Sequence, residues 1–147
     1  MAEAEEARAF YIVEEQVGFL LRRAHQRHAA IFQEGMVAAD LTPTQFTALV
    51  KITELGRVTQ NHLGRLAAMD PATIQGVVRR LIGRGLVRRM PDPTDRRTAV
   101  LAPTQTGAAL AALAITAARQ ITERTLAPLA PIERNHFLAL LHRLGAP

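Results

Sequence analysis

Side chains that could bind a polyanion are concentrated between residues 71 and 97. Gln75 carries the donor and acceptor pair that suits adenine, and Arg79 suits guanine or a phosphate. Further along, Asp95-Arg96-Arg97 places two guanidinium groups beside a carboxylate that can orient one of them. An oriented arginine can enter a narrow, A·T-rich minor groove, where the potential is most negative. These residue types predict contacts with double-stranded DNA.

A helix must present the first of these groups. Asp70 followed by Pro71 is typical of an N-cap and the first helical position. At about 100° per residue, the apolar residues share one side of this helix: Ile74, Val77, Val78 and Leu81. The opposite side is small near its start and cationic later: Ala72, Thr73, Gln75, Gly76, Arg79 and Arg80. We call this element the reader helix and expect its outward side to lie in a major groove.

A short hairpin, here called the wing, must present the second group. Leu86-Val87-Arg88-Arg89 and Ala99-Val100-Leu101 predict its two strands, with the turn near Asp95. We expect Arg97 to enter the minor groove, and Arg96, Arg88 and Arg89 to contact the DNA backbone or to tether the wing. For Asp95 two roles remain open, since it could orient a guanidinium or only close an exposed turn. The wing argues against the alternative that the reader helix has an ordinary solvated face.

Helical periodicity surrounds these elements. Apolar residues recur at spacings of three and four from about Glu6 to Gly35, and further helices are predicted from Thr42 to Gly56, from Thr59, from Thr104 to Leu126 and from Pro131 to Leu144. The short link between the helix at Thr59 and the reader helix is typical of a helix-turn-helix. The predicted fold is mainly α with a small β-hairpin wing. It is one domain, 1–147, with a winged helix-turn-helix lobe at 43–103.

The helices at 6–35 and 104–145 cannot all bury their apolar residues on that lobe. We therefore expect them to be dimerisation helices that pack together and against a second copy of the chain. A packing of three helices within one chain is the alternative. A symmetric homodimer would place two reader helices about one DNA turn apart, which suits a palindromic site.

Composition restricts the other functions. The 147 residues carry a formal net charge of +5, which favours a polyanionic partner. There is no cysteine, so disulfides and thiolate metal sites are excluded, and serine is absent as well. We find no glycine-rich phosphate loop and no nucleophile motif, and therefore expect no enzyme and no cofactor. The acidic start and the lack of a long apolar run predict a cytoplasmic protein without a membrane partner.

A cluster of cationic side chains in the first predicted helix suggests a site for a small anion. Its members are Arg22, Arg23, His25, Arg27 and His28. We expect them to fix a carboxylate or phenolate whose ring packs on Phe32, Phe46 and Leu49. A core histidine beside solvated arginines remains the alternative for any single residue. His25 and His28 could also bind zinc with a carboxylate, but two ligands do not make a site, and no metal is predicted.

Three motifs resemble those of the multiple antibiotic resistance regulator (MarR) family. They are Leu41-Thr42-Pro43-Thr44-Gln45-Phe46, Leu81-Ile82-Gly83-Arg84-Gly85-Leu86-Val87, and Asp92-Pro93-Thr94-Asp95-Arg96-Arg97 followed by Leu101, Thr104 and Gly107. The resemblance implies an obligate dimer on a pseudo-palindromic operator, usually a repressor released by a small, often aromatic, anion. The run Arg22-Arg23-Ala24-His25-Gln26-Arg27-His28 resembles that of relatives that control aromatic-acid catabolism. It implies an aromatic carboxylate or its coenzyme A thioester as effector.

Two glycines depart from the family pattern. Many relatives have arginine where this chain has Gly76 and alanine where it has Gly64. The base contacts of the family therefore cannot be transferred to this reader helix, and Gly76 could instead let the backbone approach the groove. Two other functions stay open for the same fold: a regulator controlled by zinc or another signal, and a protein-interaction module that no longer binds DNA.

Overall fold

Helices dominate the fold, and one two-stranded hairpin interrupts them. A computed structural model describes residues 1–146, apart from the side chain of Ala9, so Pro147 of the predicted domain lies outside the described residues. The elements in chain order are α1 (Ala2–Ala9), a 3-10 turn (Val13–Glu15), α2 (Val17–Gly35), α3 (Pro43–Leu55), α4 (Gln60–Leu66), α5 (Pro71–Gly83), β1 (Val87–Pro91), β2 (Ala99–Pro103), α6 (Gln105–Leu126) and α7 (Pro131–Gly145). The predicted mainly α fold with a hairpin wing is confirmed.

Side-chain caps fix where the central helices begin. The Thr42 hydroxyl accepts from the Gln45 N–H at 3.3 Å, and the Gln45 side chain accepts from the Thr42 N–H at 3.2 Å, which is a complete capping box. The Asp70 carboxylate accepts from the Thr73 N–H at 2.7 Å and caps α5, the reader helix. The predicted starts at Pro43 and Pro71 are therefore confirmed.

The long first helix predicted from Glu6 to Gly35 is wrong in its first half. Helix α1 ends at Ala9, and α2 begins only at Val17. Between them Ile12 and Gln16 adopt extended backbone conformations, and the apolar side chains from Phe10 to Val13 are exposed. An amphipathic segment gains most of its helical stability from packing its apolar face. Residues 10–13 have no such packing within the chain, so their apolar spacing does not produce a helix.

The lobe at 43–103 contains most of a hydrophobic core that continues into α2 and α6. Helices α3, α4 and α5 surround side chains that are almost completely buried: Leu49, Ile52, Leu63, Ile74 and Leu81. Strands β1 and β2 pair antiparallel from Val87 opposite Pro103 to Pro91 opposite Ala99. A single bridge between Val58 and Leu101 attaches the wing to the loop between α3 and α4.

A close backbone contact joins the reader helix to α6. Gly85 adopts a φ of +72° after α5, and the Thr104 hydroxyl donates to its carbonyl oxygen at 2.6 Å. A Cβ added at Gly107 would lie 1.9 Å from the Leu86 carbonyl oxygen, so only glycine fits there. The start of α6 is therefore locked to the segment that links the reader helix to the wing.

The terminal helices leave more of their apolar surface exposed than the lobe does. Helix α2 packs along α6, and α7 contributes no buried residue. Many large apolar side chains of the terminal segments are exposed: Phe10, Tyr11, Ile12, Val17, Leu20, Leu113, Ile132, Leu138 and Leu144. None of the helices in residues 1–146 is both long and apolar enough to cross a membrane.

Candidate nucleic-acid interface and ligand site

The reader helix presents the predicted side to solvent. Its four predicted inward residues, Ile74, Val77, Val78 and Leu81, are all buried, as expected. The predicted contact residues Ala72, Thr73, Gln75, Arg79 and Arg80 are exposed, and Gly76 is half-buried. A Cβ added at Gly76 would meet nothing within 4 Å. The packing of the chain therefore does not require glycine at this position.

The tip of the wing is built by two aspartates. The Asp95 carboxylate accepts from the Arg97 backbone N–H at 3.0 Å and from the Thr98 hydroxyl at 3.1 Å. No ion pair to Asp95 is found within residues 1–146, so the expectation that it orients a guanidinium is corrected. Both carboxylate oxygens accept hydrogen bonds from residues that follow Asp95 directly in the sequence, because a short carboxylate bonds readily to N–H groups two residues on. The side chains of Arg96 and Arg97 are exposed at this tip.

Asp92 shapes the other side of the same turn. Its carboxylate accepts from the Thr94 N–H and from the Thr94 hydroxyl, both at 2.9 Å. These two bonds lower the pKa of Asp92 below its ordinary value, and the positive charge of Arg57 lowers it further. The carboxylate is therefore charged at neutral pH. Both aspartates stabilise the turn by hydrogen bonds, and the shape of the turn determines where Arg96 and Arg97 lie.

One wing arginine is a tether. The Arg89 guanidinium donates to the Gln60 side-chain oxygen at 3.1 Å, which connects β1 to the start of α4. This is the tethering role that the sequence left open for Arg89. Arg88 is exposed on the same strand. Sequence reasoning missed Gln60, because its partner lies 29 residues further along the chain.

The cationic cluster of α2 is tied to the end of α6. Arg27 donates to the carbonyl oxygens of Thr125 and Arg124 at 2.7 and 2.9 Å. The Thr125 hydroxyl donates to the Ile121 carbonyl, so it accepts from His28 Nδ1, which lies 2.8 Å away. His28 therefore carries its proton on Nδ1 when it is neutral, and its Nε2 is the acceptor. Sequence reasoning missed Thr125 as the residue that orients this ring.

A groove of about 330 Å³ lies between α2, α6 and α7. It is mainly apolar, and its walls are Leu21, Ala24, His25, His28, Thr122, Thr125, Leu126, Phe137, Leu138 and Leu141. Among the predicted ligand residues, only His25 and His28 line it. Arg22 and Arg23 are exposed outside its walls. Within residues 1–146, no group of three or more His, Asp or Glu side chains could hold a metal ion.

The three predicted ring-packing residues do not meet in this groove. Phe32 and Phe46 pack edge to face with ring centroids 6.1 Å apart, and Leu49 is fully buried. Leu49 exposes no surface to a ligand in this structure, because α3 packs on α6 as well as on α5. Phe32 borders a second groove of about 530 Å³ with Met36, Val37 and other residues of the turn after α2. The predicted site is therefore divided between a groove and the core.

Known proteins share this sequence and this fold. The MarR family model matches residues 41–99. The HTH-type transcriptional repressor NicR of Pseudomonas putida is 45% identical over 134 residues, which cover 91% of this chain and 85% of NicR. HosA, a transcriptional regulator of Escherichia coli, is 31% identical over 84% of this chain and 90% of its own.

Solved structures of transcriptional regulators are also similar to this chain. A probable transcriptional regulator from Pseudomonas aeruginosa has a TM-score of 0.87 at 47% identity, over 90% of this chain and 99% of its own. BpsR of Bordetella bronchiseptica has a TM-score of 0.88 at 39% identity, over 93% of this chain and 98% of its own. The DNA binding of BpsR is regulated by 6-hydroxynicotinic acid. These similarities extend over nearly the whole chain. The chain therefore belongs to the MarR family and is a winged-helix transcriptional regulator that binds DNA.

Proposed function

We propose that the chain is a homodimeric repressor that binds a pseudo-palindromic operator and releases it when a small aromatic anion binds. One observation carries this proposal: the exposed polar side of the reader helix is joined by only three residues to a wing with an arginine-bearing tip. A helix and a hairpin so connected can enter adjacent grooves of one duplex. The similarity to the repressor NicR supports repression as the mode of control. This role requires no catalytic step and belongs to the cytoplasm.

The proposed dimer rests on the terminal helices. We assign residues 43–103 to the DNA-binding lobe, and 6–35 and 104–145 to dimerisation. Ile132 and Leu144 on α7 keep 81% and 69% of their surface exposed, and Phe10 keeps 85%. Large apolar side chains left this exposed indicate a site of association when they form a common surface. The same surface on a second copy is the partner that also provides the two-fold symmetry of a palindrome.

The DNA contacts divide into two classes. In the reader helix, Gln75 and Arg79 address base edges, and the small residues Ala72 and Gly76 let the backbone approach them. Thr73 and Arg80 flank this face. In the wing, Arg97 enters the minor groove, while Arg88 and Arg96 bind phosphates. Arg89 serves the interface indirectly through its bond to Gln60.

The effector site is proposed in the groove between α2, α6 and α7. An apolar groove with a few convergent polar groups suits an aromatic acid, and His25 and His28 supply those groups here. The control of BpsR by 6-hydroxynicotinic acid supports this ligand class, and a coenzyme A thioester of such an acid is the larger variant. Arg22, Arg23 and Arg27 are the remaining members of the cationic cluster on α2, and Arg27 is bound to carbonyl oxygens at the end of α6. Zinc control and a module without DNA binding are not favoured.

An affinity measurement tests the proposed wing contact. A duplex is first selected from random DNA with the wild-type protein and then titrated with Arg97→Ala in gel-shift experiments. We expect affinity to fall about tenfold while the dimer stays intact, since a specific arginine contact is worth about 1–3 kcal/mol. Arg119→Ala, an exposed arginine of α6, is the matched control and should bind as the wild type does. Unchanged affinity of Arg97→Ala would contradict the wing assignment.

A thermal-shift screen tests the effector. The probes are 6-hydroxynicotinic acid, benzoic and hydroxybenzoic acids, their coenzyme A thioesters and zinc chloride. An aromatic acid should raise the melting temperature, because a compound that binds only the native state stabilises it. His28→Gln should reduce the shift, while Lys51→Gln, which lies on α3, should not. A response to zinc alone, or no response at all, would contradict the proposed ligand class.

A further inference from the structure

An arginine bridge connects the end of the reader helix to the turn between α2 and α3. Arg84 is the C-cap of α5, and its guanidinium donates to the carbonyl oxygens of Asp40 at 2.5 Å and Ala39 at 3.3 Å. These carbonyls lie more than 40 residues earlier in the chain. The planar guanidinium is suited to such paired acceptors, because its N–H groups form a rigid fork.

The turn that accepts these bonds, residues 36–42, is itself firmly placed. Met36, Ala39 and Leu41 are buried in the core, and the Asp40 N–H donates to the Met36 carbonyl oxygen at 3.0 Å. Asp40 has a φ of +51°, in the left-handed region that aspartate tolerates better than most residues with a Cβ. The carbonyls of residues 39 and 40 are therefore presented in one defined position.

We propose that Arg84 is a positioning residue: it fastens the C-terminal end of the reader helix to the end of α2 and so sets the angle at which the helix meets DNA. The proposal rests on the proposed role of α5 as the reader of DNA. Helix α2 carries His28 and Arg27 at the proposed effector groove. A displacement of α2 would then move the turn at 36–42 and, through Arg84, the reader helix. Effector binding at α2 therefore changes the position of the reader helix through this bridge.

The variant Arg84→Lys separates this role from a simple charge effect. It keeps the positive charge but loses the fork that binds two carbonyls. We expect affinity for the selected duplex to fall about tenfold, within the range reported for residues that couple two sites, while affinity for a scrambled duplex stays unchanged. Arg119→Lys is the matched control and should change neither affinity.

Two other roles of Arg84 predict different results. If Arg84 bound a phosphate directly, Arg84→Lys would bind as the wild type does, and Arg84→Gln would lose affinity for both duplexes alike. If Arg84 only stabilised the fold, the melting temperature of Arg84→Lys would fall and the folded dimer would keep its affinity for the selected duplex. Either result would overturn the proposal.

A measurement on the wild-type protein covers the case in which Arg84→Lys does not fold. Binding of the selected duplex should slow amide hydrogen exchange in residues 36–42 as well as in α5, because the two segments are fastened together. Protection of α5 without protection of 36–42 would contradict the bridge. If selection yields no preferred duplex, the proposed function itself fails and this proposal fails with it.

Discussion

The DNA-binding lobe and the terminal helices obey different rules of packing. In the lobe at 43–103, most large apolar side chains are buried within the chain, and Leu49, Ile52 and Leu63 have no exposed surface. In the terminal segments the helices are equally well formed, yet α7 buries no residue within the chain. Well-formed helices with uncovered apolar faces indicate that the fold of one copy is only part of the folded assembly.

The largest effect on stability is expected where the start of α6 contacts the segment that follows the reader helix. Gly107→Ala places a Cβ 1.9 Å from the Leu86 carbonyl oxygen, and neither backbone segment can move far. We expect the free energy of unfolding to fall by about 3 kcal/mol or more, measured by urea denaturation. Gly83→Ala is the matched control, since a Cβ there meets nothing within 4 Å and should have little effect. Equal stability of the two variants would show that this contact is not rigid.

A charge on α7 tests whether a second copy covers the terminal face. Leu144→Glu buries a charge in the proposed interface and should raise the dimer dissociation constant about 100-fold, the effect of losing an interface hot spot. Sedimentation equilibrium measures this constant, and circular dichroism checks that the lobe stays helical. Leu55→Glu on α3, an exposed leucine of the lobe, is the control. Dimers of unchanged strength in Leu144→Glu would place the interface elsewhere.

The cap of the reader helix gives the lobe a pH dependence of known sign. The Thr73 N–H lowers the pKa of Asp70 below its ordinary value of 3.8. The stabilisation is therefore fully present above pH 3.8 and is lost as pH falls through the lower pKa of the folded state. Asp70→Ala should melt at a lower temperature than the wild type at pH 7, and the difference should shrink below that pKa. A difference independent of pH would refute the role of the charged carboxylate.

The smallest effect is expected in the turn between α4 and α5. Ala68 adopts a φ of +53°, which costs a residue with a Cβ about 1 kcal/mol. Ala68→Gly should therefore stabilise the lobe by about 0.5 kcal/mol after the extra entropy of glycine in the unfolded chain is included. Ala67→Gly, at a φ of −91°, should only destabilise it. Thermal unfolding of both variants distinguishes these outcomes, and destabilisation of both would contradict the strain at Ala68.

The two regions also differ in how well their structure could be predicted from the sequence. The caps at Thr42 and Asp70 and the buried side of the reader helix were predictable because their partners lie within a few residues. The end of α1 at Ala9 was not, because the spacing of Phe10 and Val13 does not reveal that no core covers them. Periodicity reports which residues are apolar, while the packing partner decides whether they form a helix.

The candidate site was predictable only in its types of residue. The half-buried position of His28 and the exposure of Arg97 were expected from spacing. The bond from His28 to Thr125 joins residues 97 positions apart, and no local pattern in the chain reveals it. The same holds for the Arg84 bridge and for Gln60. Contacts between distant segments depend on the tertiary fold, and they are the contacts that orient the site.

Hydroxyl-radical footprinting of the selected duplex, combined with the mass of the complex, tests the central claim most directly. Two copies of the chain on one duplex should protect two segments about 10 base pairs apart, with further protection in the flanking minor grooves where the wings bind. Arg97→Ala should lose only the minor-groove protection. A single protected segment bound by one copy of the chain would contradict the account.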